Sequence, residues 1–474
     1  MRFHPTTYEE LAELVKDESI YLGDIDTSQI ENMRWLFCNS KRKDFSGIEG
    51  WDTSNVKNMV GMFDNAIYFN ADISGWNVSN VWNFTNMFRF AKRFNQPIGK
   101  WDTSSAAMME ATFEGAYNFN QPLNNWDTSK VWSMNFMFLG AKKFNQPLDK
   151  WDMSAIKKMA GGCYQVANFF TGAPFNQNID SWDLDWECYF MLENSPLMQN
   201  PPKWIRTKFD SLYNAKINKY QPMNREDLAF LCAFEIINLD DIDTSQVTDM
   251  VCVFSHSNRR DFSGIEGWDT SNVKNMDSLF LGAKHFNADI SGWNVANVES
   301  MSAMFMHARL FNADIRAWNV ARVRDFSRMF DGALRFNHNL DSWAVDTNAI
   351  LLNDKDDDKP FHSVFFESPL QQNPPKWYLR YITSLFDTKS RKYIPKNEDE
   401  LGDLIALESV HLGDIDTSFV MDMQWLDRYL RRRKDFSGIE SWNVNEKCKI
   451  HGAFYRCPLS DNPPKWYKDR VARI

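Results

Sequence analysis

Aromatic and polar positions return along this chain with a period of 25 residues. Trp51, Trp76, Trp101, Trp126 and Trp151 keep that step, Trp182 follows after 31, and Trp268, Trp293, Trp318 and Trp343 resume it. Six residues before a Trp stands Asn, at Asn70, Asn95, Asn120, Asn145, Asn176, Asn287, Asn312 and Asn337, each preceded by Phe. Within the period that starts at Trp51, Asp52-Thr53-Ser54 offers side-chain oxygens suited to a helix N-terminus. Val56, Met59, Met62, Phe63 and Ala66 then recur at helical spacing, and Ile73-x-x-Trp76-x-Val78 suits a short strand. One strand and one helix in ~25 residues falls in the range of leucine-rich repeats. The pattern therefore predicts an α/β repeat, a right-handed leucine-rich-repeat-like solenoid with one short strand and one helix per coil. Such a coil buries its apolar face only by stacking on its neighbours. The Trp and Phe columns should then form internal ladders, and the Asn column should bond the backbone of the adjoining coil.

A longer repeat divides the chain into three capped modules, 1–215, 216–388 and a short 389–474. Each opens with a helix whose N-cap and third residue form a capping-box pair, Thr7/Glu10, Asn224/Asp227 and Asn397/Glu400. Asp-Phe-Ser-Gly-Ile-Glu follows at Asp44, Asp261 and Asp435, and each module closes on Asn-Pro-Pro-Lys-Trp at Asn200, Asn373 and Asn462. Proline suits the first position of a helix, so a closing helix is expected there. Lys-rich connectors lie at 216–219 and 389–396.

The quoted motif Trp-Asp-Thr-Ser-x-Val-x-x-Met-x-x-Met-Phe-x-x-Ala-x-x-Phe-Asn resembles the repeat of the BspA-like leucine-rich-repeat surface proteins, and the resemblance covers nearly the whole chain. It implies an adhesin-like, host-binding protein and supplies no catalytic residues. The expected secretion signal and lipid-anchor Cys are not seen near Met1, which favours an intracellular place, with a cell surface or a virion as the other settings.

Charge and chemistry narrow the function. The formal net charge is −10, which argues against broad nucleic-acid binding. Seven scattered cysteines without Cys-x-x-Cys predict reduced, buried thiols rather than a disulfide framework. The eight His residues form no metal-ligand spacing, and neither a nucleophile elbow nor a phosphate loop is present. We expect no enzyme activity, no metal and no cofactor. The Asp column after Trp (Asp52, Asp102, Asp127, Asp152, Asp183, Asp269) shares its place with Asn77 and Asn294, which suits capping or local backbone bonding better than a cation cage.

Basic clusters precede the Asp-Phe-Ser-Gly motifs: Lys41-Arg42-Lys43, Arg259-Arg260 and Arg431-Arg432-Arg433-Lys434. They read as solvated turns or as a recurring partner or anion contact. The insertion Asn353-Asp354-Lys355-Asp356-Asp357-Asp358-Lys359 reads as a charged surface loop. Lys57, Asn58, Asp64 and Asn65 lie at variable positions suited to contacts. The expected work is protein–protein recognition by a scaffold of unspecified partner, self-association included. A structural or assembly component, or a glycan-binding adhesin using Trp82 and Trp132, are the alternatives.

Overall fold

The computed structural model describes residues 3–159, 161–346 and 363–472; the Asp-rich insertion at 353–359 lies outside them. The chain divides into two compact units, 1–211 and 212–474.

Unit 1 opens on α1 (Tyr8–Lys16), where the Thr7 side chain and Glu10 close a reciprocal capping box and Leu11 and Val15 are buried. The coils that start at Trp51, Trp76, Trp101 and Trp126 follow. A short helix, α2 (Ser154–Lys157), enters the 31-residue coil, and α3 (Lys203–Leu212) follows the Pro-Pro pair. Unit 2 begins with the antiparallel hairpin β1 (Tyr213–Asn214) and β2 (Lys219–Tyr220) at the first Lys-rich connector, then α4 (Arg225–Ala233). After its coils come α5 (Lys376–Ser384) and the hairpin β3 (Phe386–Asp387) with β4 (Lys392–Tyr393) at the second connector. The helices α6 (Glu398–Ala406), α7 (Leu426–Leu430) and α8 (Lys465–Val471) complete it.

The regular coils do not contain the helix and strand that their spacing predicts. Parallel bridges run through Asn32, Asn58, Asn83, Met108 and Ser133 in unit 1, and through Asp249, Asn275, Ser300 and Asp325 in unit 2. These residues lie on the segment expected to be helical, whereas Ile73 to Trp76 is a turn closed by the Trp76 N–H on the Ile73 carbonyl. The reason lies in the backbone. Gly61 and Asn65, Asn86 and Phe90, and Ala111 and Gly115 all have φ between 51° and 61°, so each coil visits the left-handed region twice, four residues apart, and a helix cannot propagate through it. Donors then alternate. Gly61, Phe63 and Asn65 donate to Thr85, Met87 and Arg89 of the next coil, while Met62, Asp64 and Ala66 close three-residue turns within their own coil. A chain of such turns buries Val56, Met59, Met62, Phe63 and Ala66 completely, so apolar spacing alone cannot distinguish it from a helix.

Aromatic ladders fill the core. In unit 1 Trp51 stacks on Trp76 at 6.4 Å and Phe69 on Phe94 at 5.5 Å; in unit 2 Trp268 stacks on Trp293 at 6.2 Å. Each indole N–H has a fixed acceptor. Trp76, Trp101, Trp126 and Trp151 donate to the carbonyls of Ile48, Ile73, Ile98 and Leu123 at 2.9–3.1 Å. That carbonyl lies three residues before the preceding Trp, so one residue satisfies both its own donor and a buried backbone acceptor. The Asn column links edges. Asn70, Asn95 and Asn120 each accept the backbone N–H of the next Asn at 2.9 Å, the last being that of Asn145.

Left-handed positions also pair large residues with glycine. The Phe90 ring (φ 54°) lies over Gly115 (φ 61°), where a Cβ would come within 2.3 Å of it. Gly115→Ala is therefore expected to lower stability by about 1–3 kcal/mol through strain and overpacking. Gly75→Ala, with nothing within 4 Å of the added carbon, should stay within ~0.5 kcal/mol. Urea unfolding of the two variants checks this, and equal midpoints would refute the lid over glycine.

The thiols depart from expectation too. Cys163 and Cys188, 25 residues apart and with Cα atoms 4.6 Å apart, form a disulfide, and Cys252 is exposed. A one-coil separation brings two side chains onto adjoining levels, which spacing motifs such as Cys-x-x-Cys do not capture.

Candidate interaction surface

Three of the nine basic residues singled out from sequence are not on the surface. Arg42, Arg259 and Arg433 are 4–6% exposed. Arg259 donates to the carbonyls of Asp261 at 2.6 Å, Cys232 at 3.3 Å, Phe234 at 3.1 Å and Ile237 at 2.8 Å. Arg42 serves Val15, Asp17, Ile20 and Asp44 in the same way, and Arg433 serves Ile405, Leu407, Val410 and Asp435. In each case a planar fork of donors collects two carbonyls at the C-terminal end of an opening helix and two more from the segments that follow it. These arginines lock a helix onto the first coil and are unavailable as anion contacts.

Their neighbours differ. Lys41, Lys43, Arg260, Arg431, Arg432 and Lys434 are exposed. Arg431 pairs with Asp427 at 3.1 Å and Arg432 with Glu367 at 3.6 Å. Lys43 Nζ stands 5.7 Å from the centre of the Tyr68 ring.

The Asp column bonds its own backbone rather than capping helices. Asp52, Asp102, Asp127 and Asp152 accept the N–H two residues on, from Ser54, Ser104, Ser129 and Ser154, at 2.8–3.1 Å. Bonds from Ser104 and Ser129 hold the Asp102 and Asp127 carboxyls below the usual range. Asp183 instead pairs with Lys157 at 2.9 Å.

Of the variable positions, Lys57 is exposed and pairs with Glu31 at 2.8 Å. Asp64 is buried and clamped by Arg89 through two bonds of 2.9 and 2.6 Å, so it is a structural residue rather than a contact. Glu114 lies one coil beyond Arg89. Burial pushes its carboxyl up, against the pull of Arg89.

Six residues after the buried Trp of each coil comes a different column, Lys57, Trp82, Ala107 and Trp132. Trp82 is 44% exposed and Trp132 38%. The backbone of Trp82 is nonetheless fixed on both sides, and that of Trp132 is tied to the preceding coil. The Trp82 N–H bonds Lys57 O at 3.1 Å, Ala107 N–H bonds Trp82 O at 2.8 Å, and Trp132 N–H bonds Ala107 O at 3.0 Å.

The chain matches the family model described as Mycoplasma protein of unknown function, DUF285, over residues 8–116, 94–204 and 248–353. These segments cover more than half of it. The chain belongs to the DUF285 family. No curated protein and no solved structure matches it. The three DUF285 segments fall on the coils with stacked Trp and Phe, which makes this a repeat protein of turns, short helices and few strands.

Two arrangements in unit 2 of this DUF285 protein escape sequence reading. Asp331, wholly buried, pairs with Arg428 of α7, whose guanidinium stands 4.7 Å from the Phe366 ring centre. Asp403 of α6 accepts Ser363 N–H at 2.9 Å and the Tyr381 hydroxyl at 3.2 Å, and Ser363 Oγ lies 3.2 Å from the Tyr429 hydroxyl. Burial pushes the Asp403 carboxyl up to about 8. Partners 22 to 97 residues apart in sequence build both sites, and no local motif marks them. A cleft beside them is lined by Arg328, Glu398, Asp399, Met423 and Trp425. No helix among the described residues is long and apolar enough to cross a membrane.

Proposed function

We propose that this chain is a non-enzymatic scaffold, a solenoid of leucine-rich-repeat type that recognises protein partners with the exposed side chains of its stacked coils. The observation that carries this reading is the half-exposed pair Trp82 and Trp132. Large aromatic side chains dominate binding energy at interfaces when they anchor in a partner's pocket. Here they project from backbone bonded to a neighbouring coil, on both sides at Trp82 and through the N–H at Trp132, so little backbone ordering entropy remains to be lost on binding. One coil separates them, and the small Ala107 stands at the same position in it, which leaves room on both indoles. The same exposure also suits glycan stacking, the adhesin-like alternative that the BspA-like resemblance favours.

The test is affinity capture with the wild-type chain and with a Trp82→Ala/Trp132→Ala variant, read by mass spectrometry and followed by titration of the captured protein. A partner whose affinity falls about 100-fold in the variant, as loss of two anchors predicts, supports the reading, provided the thermal melt is unchanged. A partner held equally by both forms would move the contact off this face. Retention by a neutral glycan column that depends on both indoles would favour the alternative.

A further inference from the structure

One column of unit 1 carries positive charge that is not taken up in ion pairs among the described residues, although the chain as a whole is acidic and Glu49 and Asp72 lie beside its opening end at Lys43 and Tyr68. It lies just before the Phe ladder, at the sixteenth and seventeenth residues after each Trp. Lys92-Arg93 and Lys142-Lys143 occupy it in alternate coils, all four exposed. Tyr68 and Tyr117 occupy it in the coils between. Lys43 extends the row at the opening end, since Lys43 Nζ and Arg93 Cζ stand 5.7 and 5.1 Å from the Tyr68 ring centre. Lys92 Nζ stands 5.3 Å from that of Tyr117. Among the described residues none of these five cations forms an ion pair, whereas Lys57 and Lys157 of the same unit are paired with Glu31 and Asp183. Lys142 Nζ donates to the Gly172 carbonyl, at 3.4 Å.

The period of this row is its informative feature. The adjoining Phe ladder advances 5.5, 5.7 and 6.0 Å from Phe69 to Phe94, Phe119 and Phe144, a step close to the length of one sugar ring in an extended chain. Cations then recur every second step with an aromatic ring between them. A nucleic-acid strand carries a charge on every unit and would call for cations at every step. A polysaccharide in which an acidic sugar alternates with a neutral one has the two-step period, with carboxylates for the lysines and arginines and an uncharged ring beside each tyrosine, of which Tyr117 is the more exposed.

We propose that the row Lys43–Tyr68–Lys92/Arg93–Tyr117–Lys142/Lys143 is a binding site for an acidic polysaccharide of alternating charged and neutral sugars. Charge-assisted hydrogen bonds to carboxylates supply the attraction. The rigid coil spacing supplies the register, because repeats stacked this way hold their surface residues at fixed intervals. In unit 2 the same column reads Lys284-His285, Arg309-Leu310 and Leu334-Arg335. Each coil there has a cation and none has a tyrosine, so unit 2 lacks the two-step period and is not assigned this ligand.

Calorimetric titration of the full chain with a hyaluronan decasaccharide, in which glucuronate alternates with an uncharged sugar, tests the assignment. Saturable binding is expected. It should weaken roughly tenfold in Lys92→Gln/Arg93→Gln and again in Lys142→Gln/Lys143→Gln, and also in Tyr117→Ala, with unchanged melting curves. Three results would overturn it: no binding by the folded wild type, equal binding by the glutamine variants, or tighter binding of polygalacturonate or a ten-nucleotide oligothymidylate, whose charges recur at every unit.

Discussion

Arg259→Ala is expected to destabilise unit 2 by on the order of 4 kcal/mol, because several buried carbonyls lose a charged donor at once. The side chain is 6% exposed and reaches four carbonyls, those of Cys232, Phe234, Ile237 and Asp261. Cys232 lies in the last turn of α4 and Phe234 caps it, so water cannot easily replace the guanidinium at these acceptors. Lysine offers three donors from one point rather than a planar fork, and Arg259→Lys should recover only a minor part of the loss. The check is the urea midpoint of unit 2 followed by circular dichroism. If Arg259→Ala unfolds within 1 kcal/mol of the wild type, the helix-lock role is wrong. Arg42 and Arg433 hold the same contacts around α1 and α6 and should behave alike.

These arginines also illustrate what sequence can and cannot disclose. Lys41-Arg42-Lys43 looks like a charged turn, and two of its three members are one. Only the backbone geometry tells that the middle residue turns inward to meet Val15, Asp17 and Ile20. Ladders, by contrast, are legible because a residue that contacts its own equivalent 25 positions away must recur at that interval; Trp76 and Asn95 are examples. The reciprocal capping box at Thr7 and Glu10 is legible because both act within four residues; at Asn224 and Asn397 only the cap side chain bonds as expected, and Asp227 and Glu400 accept instead from the N–H groups of Met223 and Lys396. The coil interior is not, since Met59, Met62 and Phe63 fit a helix as well as a run of turns. Left-handed backbone at Phe90 and Phe136, with φ of 54° and 60°, overrides the usual preference for glycine or asparagine there. Stacking against the next coil imposes that conformation, and stacking is a tertiary property. The polar site at Asp403 is less legible still. Its partners come from Ser363, Tyr381 and Tyr429, and nothing near Asp403 in sequence announces them.

Asp403 should make the stability of unit 2 depend on pH in an unusual direction. Its carboxyl titrates near 3.8 when exposed and is pushed up to about 8 by burial in the fold, against the stabilising bonds from Ser363, Tyr378 and Tyr381. The native state therefore holds a proton that the unfolded state has released between those two values. Stability from this group is complete below pH 4, falls as pH rises, and levels off above pH 8, since native and unfolded forms are then both ionised. Four units at 1.36 kcal/mol each amount to about 5 kcal/mol. The groups around it do not offset this. Burial raises the Tyr378, Tyr381 and Tyr429 hydroxyls above their ordinary values, so they stay neutral throughout, and the negative charge of Asp399 pushes the Asp403 carboxyl the same way. Asp403→Asn has nearly the same shape as the protonated acid and cannot ionise. Its urea midpoint should lie near that of the wild type at pH 4 and well above it at pH 8, with a difference of several kcal/mol between the two conditions. A difference between variant and wild type that stays constant with pH would mean that Asp403 is ionised in the fold and held by its hydrogen bonds alone.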